Sequence, residues 1–251
     1  MERKAPLYLL DTVDSTNSRL KAMAREGAAS GTAVAAREQT AGRGRLGREF
    51  ASPPGGVYLS LLLRPDCPPA RCAELAPLAA VAARRAVAAC AGVWPDIKWP
   101  NDLLLEGKKI CGILTERLEL PGDPRGAVII GVGINGNTRR EDFPLQLREL
   151  AGSLYTQTGR QVDLDALSDA LLRELDSLYA AWLQEEDVCL EEYRAACINL
   201  GRRVWILHEG ERRGALALAV NPDYSLALRY DDGREETLRF GELSLRQEAP
   251  D

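Results

Sequence analysis

The chain has 251 residues, 45% of them hydrophobic and 27% charged, with a formal net charge of −5. This composition is that of a globular protein with one large domain, or a domain plus a small appendage. The acidic balance argues against a general nucleic-acid-binding surface, and the apolar run that stops at Asp11 is too short for a signal peptide or membrane span, so a cytoplasmic location is expected.

Pro6 to Val13 reads as a first strand. Behind it, Asp14-Ser-Thr-Asn17 supplies helix N-caps ahead of Leu20, Met23 and Ala24 at helical spacing. Such a helix start can also offer N–H groups and hydroxyls to a polar ligand. A strand over Thr32 to Gln39 follows, then Thr40 to Gly56, with three arginines, five glycines and two prolines. A connection of that length without its own secondary structure reads either as an anion-binding lid, with guanidinium and backbone N–H groups on one ligand, or as a solvated basic loop.

Val57 to Leu63 is a buried strand, and Ala70 to Ala91 a core helix that Pro77 either kinks or begins. Ile97 to Leu105 reads as a strand, a turn at Pro100-Asn-Asp102 and a short strand. A hairpin at Glu106-Gly107 then leads into a long strand to Glu116. Ala127 to Ile134 is a further strand ending at Asn135. Leucines at three- and four-residue steps predict a helix over Asp163–Glu185, with a second over Val188–Cys197. From Asn199 onward, short alternating runs joined by Gly- and Asp-rich turns predict a small β-barrel. The expected fold is α+β: a mixed, mostly antiparallel sheet carrying helices over residues 1–197, and the barrel over 198–251.

Six cysteines, at 67, 72, 90, 111, 189 and 197, form no Cys-x-x-Cys pair and read as free thiols. The single histidine, His208, cannot build a multi-histidine metal cluster and has no serine nucleophile motif nearby. Both Gly42-Arg-Gly44-Arg-Leu-Gly47 and Gly131-Val-Gly133-Ile-Asn-Gly136 match the dinucleotide-binding pattern, but neither opens a helix, so a nicotinamide site is disfavoured. Chemistry then rests on Lys, Arg, Asp and backbone groups. Arg43, Arg45 and Arg48 can neutralise phosphate. Lys98 and Lys109 flank buried strands, where an ammonium usually serves a partner. Asp102 can hold Mg²⁺ as one carboxylate of a site completed by water and phosphate.

Asp14-Ser-Thr-Asn17, Glu38-Gln39-Thr-Ala-Gly-Arg-Gly-Arg-x-Gly-Arg48, Lys98-Trp-Pro-Asn-Asp102, Lys109-x-x-Gly-Ile113, Gly131-x-Gly-Ile-Asn135 and Gly241-Glu-Leu-Ser-Leu-Arg246 together resemble the motif series of the biotin protein ligases, in order and spacing. The resemblance implies ATP-dependent activation of biotin to biotinyl-5′-AMP with Mg²⁺, then transfer to a lysine of a biotin carboxyl carrier domain of a biotin-dependent carboxylase. It implies that Ser15, Thr16, Asn17 and Gln39 hold the biotin ring system, and that Arg43, Gly44 and Arg45 lie against adenylate and carboxylate. Lys109 would contact the biotin carboxylate and acyl phosphate. Lys98, Asn101 and Asp102 would serve phosphates and metal, Asn135 the adenylate, and Arg48 and Phe50 the nucleotide. Related enzymes occur as monomers and homodimers.

The loop departs from the family pattern at Leu46, where a basic residue is usual, and at Glu49-Phe50, where a basic residue and tryptophan are usual. With a first strand read near residue 6, no N-terminal DNA-binding domain is expected, nor is a nucleic-acid or membrane partner. A lipoate or octanoyl protein ligase and a biotin-binding module without catalysis are the alternatives.

Overall fold

The computed structural model describes residues 5–186, 189–208, 211–239, 241 and 243–245. Val188, Glu242 and Arg246, which figure in the expectations above, lie outside this set. The chain runs β1 (Leu7–Val13), α1 (Thr16–Arg25), β2 (Ala33–Gln39), β3 (Gly56–Leu63), α2 (Leu75–Ala91), β4 (Asp96–Lys98), β5 (Asp102–Leu105), β6 (Lys108–Leu120) and β7 (Asp123–Asn135). Helices α3 (Leu154–Thr158), α4 (Leu164–Leu183) and α5 (Leu190–Ala196) follow. The chain then forms β8 (Arg203–His208), β9 (Glu211–Val220), β10 (Leu226–Tyr230), β11 (Glu235–Leu238) and β12 (Leu243–Ser244).

Strands β1 to β7 form one sheet in the order β1-β2-β3-β7-β6-β5-β4. Only β1 and β2 pair in parallel; every other neighbouring pair is antiparallel. Gly56–Leu63 is buried along its whole length, as its aliphatic run dictates for a strand covered on both faces. Helices α2 and α4 cover one face through Leu78, Val81, Leu171 and Leu175. On the other face α1 lays Leu20 and Ala24 on Val34, Leu62 and Ile129.

Pro77 is the third residue of α2, where its missing N–H removes no helical bond. The residues before it, Pro69–Glu74, form a 3-10 turn, so the proline marks a start and not a kink. At the β5–β6 hairpin both turn residues are left-handed, Glu106 at φ 49° and Gly107 at φ 73°. Two consecutive positive φ values match the twist of a two-residue hairpin, and glycine takes one without a Cβ penalty.

The C-terminal strands form a second sheet, β11-β10-β9-β8-β12, antiparallel throughout. It corrects the expected barrel: among the described residues β11 and β12 are its two edges, and no pairing closes it. Val204, Ile206, Ala215 and Leu228 continue the apolar core of the large sheet without a break. None of the six cysteines is in a disulfide, as expected.

Candidate active site

Every residue to which the resemblance gives a binding or catalytic role lines one cavity of about 870 Å³ over β6 and β7. Its floor exists because those strands carry glycines where side chains would stand. A Cβ on Gly112 would lie 2.9 Å from the Phe50 ring, and one on Gly133 2.5 Å from it. At Gly131 a Cβ would lie 2.2 Å from Asn17 Oδ1. These glycines lie within β6 and β7 and open no helix, so they do not form a dinucleotide-binding turn.

At one end, Ser15 caps α1 by accepting a bond from the Ser18 N–H. The Thr16 N–H and hydroxyl both donate to Gln39 Oε1, at 2.9 and 3.1 Å, and Gln39 Nε2 donates to Ser52 Oγ at 2.8 Å. Asn17 donates to Glu116 Oε2 at 2.9 Å, and its carbonyl oxygen faces the fully buried Ser60 hydroxyl at 2.5 Å. Glu116 is paired with Lys21 at 2.6 Å and lies 3.6 Å from Arg43. Burial alone would raise the Glu116 carboxyl, but hydrogen bonds from Lys21 and Asn17, with the Lys21 and Arg43 charges, hold it below the usual range. Thus the amide and hydroxyl groups at this end are fixed before any ligand arrives.

The long loop is more structured than its composition suggests. The backbones of Arg43 and Glu49 form an isolated antiparallel β-bridge, Gly44 N–H donates to Arg48 O at 2.7 Å, and Phe50 N–H donates to Gly42 O at 2.9 Å. A 3-10 turn, Arg45–Gly47, forms the tip, where Leu46 sits in the left-handed region at φ 55° and is exposed. Arg45 spans the cavity mouth, donating to Asn101 Oδ1 at 2.9 Å and to the Gly241 carbonyl of the small sheet at 3.0 Å.

At the other end, Lys109 Nζ is 2.7 Å from Asp102 Oδ1, in contact as an ion pair but outside hydrogen-bond alignment, and 5.9 Å from the Phe50 ring centre. Asn101 ties its turn to β6 through Nδ2 to Ile113 O at 2.7 Å and its own carbonyl to Ile113 N at 3.0 Å. Trp99 N–H donates to Asn199 Oδ1 and Trp99 Nε1 to Tyr224 O, both at 2.8 Å, while the Tyr193 hydroxyl donates to Pro100 O at 3.0 Å. Helix α5, the connection that follows it and the β9–β10 turn therefore hold the turn that presents Lys98, Asn101 and Asp102. Asn135 donates to Gly152 O at 2.8 Å, yet its Oδ1 is buried with no hydrogen-bond partner on the edge of the cavity. A buried acceptor of that kind suits a ligand donor.

The motifs missed part of the lining. Phe143, Leu147, Leu150 and Ala151 form a wall, with Lys109 N–H donating to Leu150 O at 2.9 Å. Arg202, Trp205 and Arg212 add a face from the small sheet. Ser60, which pins Asn17 behind the lining, had a signal, a lone serine in an otherwise aliphatic and aromatic strand; the wall has none, because it is built from short 3-10 turns and bends that carry no periodic pattern.

A family model for the biotin/lipoate A/B protein ligase family matches residues 9–135. The bifunctional ligase/repressor BirA of Bacillus spizizenii is 41% identical over 178 residues, covering 70% of this chain and 54% of that protein. The biotin–[acetyl-CoA-carboxylase] ligase of Mycobacterium tuberculosis is 34% identical over 196 residues, covering 76% of this chain and 70% of that protein. Among solved structures, the biotin protein ligase from Aquifex aeolicus in complex with biotin and ATP superposes with a TM-score of 0.81 at 27% identity, covering 96% of this chain and 98% of that one. This chain belongs to the biotin/lipoate A/B protein ligase family. It spans about half the length of the Bacillus relatives it matches.

Proposed function

We propose that the chain is a biotin protein ligase, which activates biotin with ATP and transfers it to a lysine of a carboxyl carrier domain. The observation that carries this reading is the convergence, on one cavity, of a pre-set amide and hydroxyl end at Thr16, Asn17 and Gln39 and a cationic end at Lys109, Arg43 and Arg45.

In the first half-reaction a biotin carboxylate oxygen attacks the α-phosphorus of ATP, the bond to the β-phosphate bridging oxygen breaks, and pyrophosphate leaves. Two anions must meet, so their repulsion has to be offset by fixed positive charge in a water-poor site. Lys109 is assigned to the carboxylate and developing acyl phosphate, Arg43, Gly44 and Arg45 to the carboxylate and α-phosphate, and Lys98, Arg48 and Asn101 to the other phosphates. Asn135 is assigned to the adenylate and Phe50 to the aromatic wall beside it. Thr16, Asn17 and Gln39, with Ser15, would hold the ring system, whose ureido group has both donors and acceptors to match theirs. In the second half-reaction the carrier lysine's amine attacks the acyl carbon, AMP leaves, and the amine's surplus proton passes to the departing phosphate or solvent. No protein nucleophile is required.

Among the described residues no group of three or more His, Cys, Asp or Glu is disposed to cage a metal. Asp102 stands beside the cationic cluster as a single carboxylate. That donor set fits Mg²⁺ held chiefly by nucleotide phosphates and water, the usual coordination for this ion. When bound, Mg²⁺ would neutralise phosphate charge and orient the leaving pyrophosphate.

The ligase unit is taken as residues 1–197, with 198–251 as a second unit, which carries the small sheet. Biotin-dependent exchange of labelled pyrophosphate into ATP tests the first half-reaction on its own. Exchange that needs biotin supports the reading; exchange at the same rate without biotin counts against it.

A further inference from the structure

Glu116 belongs to none of the motifs, yet three side chains, two from α1 and one from the loop, meet on its carboxylate. Its Oε2 accepts from Asn17 on α1 at 2.9 Å, and its Oε1 lies 2.6 Å from Lys21 and 3.6 Å from Arg43 of the loop. The two cations are not equivalent. Lys21 is in direct contact and its side chain is 19% exposed; Arg43 stands further off and is 52% exposed. A long, half-solvated pair exchanges readily for another anion, whereas a short, screened-from-water pair does not.

We propose that Glu116 is a positioning residue: it holds Arg43 in reserve in the unliganded loop until an anionic substrate takes the guanidinium over, and Lys21 is the counter-ion that lets it let go. Without Lys21, the departure of Arg43 would strand a carboxylate that is only 18% exposed with an amide as its remaining partner, which is costly. With Lys21 in place, no isolated charge is created. Because the same carboxylate fixes the amide of Asn17, the hold on the loop and the setting of the opposite subsite share one anchor. The proposal rests on the reading of the cavity as an adenylating site.

The test is the rate at which trypsin cuts after Arg43, Arg45 and Arg48 in the ligand-free, full-length chain. Glu116→Gln keeps an acceptor for Asn17 but removes the charge, and should speed cleavage about threefold to fivefold, the range of a single partly exposed ion pair. Lys21→Met should act in the opposite direction, slowing cleavage and raising the biotin concentration needed to protect the loop in the presence of ATP and Mg²⁺. Loop cleavage of Glu116→Gln at the wild-type rate would overturn the proposal. So would acceleration in both variants, which is the mark of a merely structural pair. Biotin transfer by the wild-type chain, run alongside, fails only if the reading of the cavity fails.

Discussion

Lys109 stands between the Asp102 carboxylate and the Phe50 ring, and its side chain is 39% exposed. A pair that open to water adds little to stability, so its consequence should be catalytic. Lys109→Ala is expected to lower the adenylation rate by about 100- to 1000-fold, the loss typical of one preorganised charge-stabilising group. The melting temperature should hardly move. Pyrophosphate release and a thermal melt measure the two, and near-normal adenylation would remove Lys109 from its assigned role. Gly131→Ala should act on the opposite subsite. Its new Cβ would meet Asn17 Oδ1 at 2.2 Å, and Asn17 is pinned by Ser60 and Glu116. An overpacking cost of about 1–3 kcal/mol follows. Calorimetric titration should find biotin binding weakened, with ATP binding little changed. Glu116 adds a pH dependence. Its carboxyl is held below the usual range, so its contribution to stability is present above that range and lost as pH falls through the folded-state value. The melting-temperature gap between wild type and Glu116→Gln should therefore be open at neutral pH and close in acid; a gap unchanged across that range would contradict the assignment.

Among the elements, those that the sequence made legible were the ones whose pattern is local. The aliphatic run of β3 and the leucine spacing of α4, with Asp163 as its N-cap accepting from Asp165 and Ala166, appear within a residue or two of where they were expected. The loop was legible as a site and not as a shape. Its turn at Arg45–Gly47 is held by backbone bonds such as Gly44 to Arg48, to which side-chain composition gives no clue. The two-residue β12 and the five-residue α3 are too short for a periodic signal. The path of the small sheet escaped for another reason: alternation identifies strands, whereas closure depends on which edges meet. The contacts that brace the Lys98–Asp102 turn were equally invisible, because Asn199 and Trp99 are far apart in sequence. Asn199→Ala tests that brace. It would leave the buried Trp99 N–H without its partner, at about 1–3 kcal/mol. The melting temperature should drop by several degrees and the KM for ATP rise, as read by melts and initial rates; an unchanged KM would show that the brace does not position the turn.

Across the whole molecule, two sheets share one core, and the cavity lies where the glycine floor of the first meets the loop and the edge of the second. That arrangement explains how a chain with one histidine and no metal-caging cluster among its described residues can be fitted for group transfer. In the proposed reaction, fixed charges and preset hydrogen bonds would supply orientation and electrostatic stabilisation in place of a protein nucleophile. Closure of the loop would shield a reactive mixed anhydride from water. The most direct test is transfer of labelled biotin, with ATP and Mg²⁺, to a biotin carboxyl carrier domain, with lipoate and its own carrier domain as the parallel substrate pair. The account predicts biotin on the carrier lysine, dependent on ATP, and no comparable transfer of lipoate. Efficient lipoate transfer with no biotin transfer would contradict it.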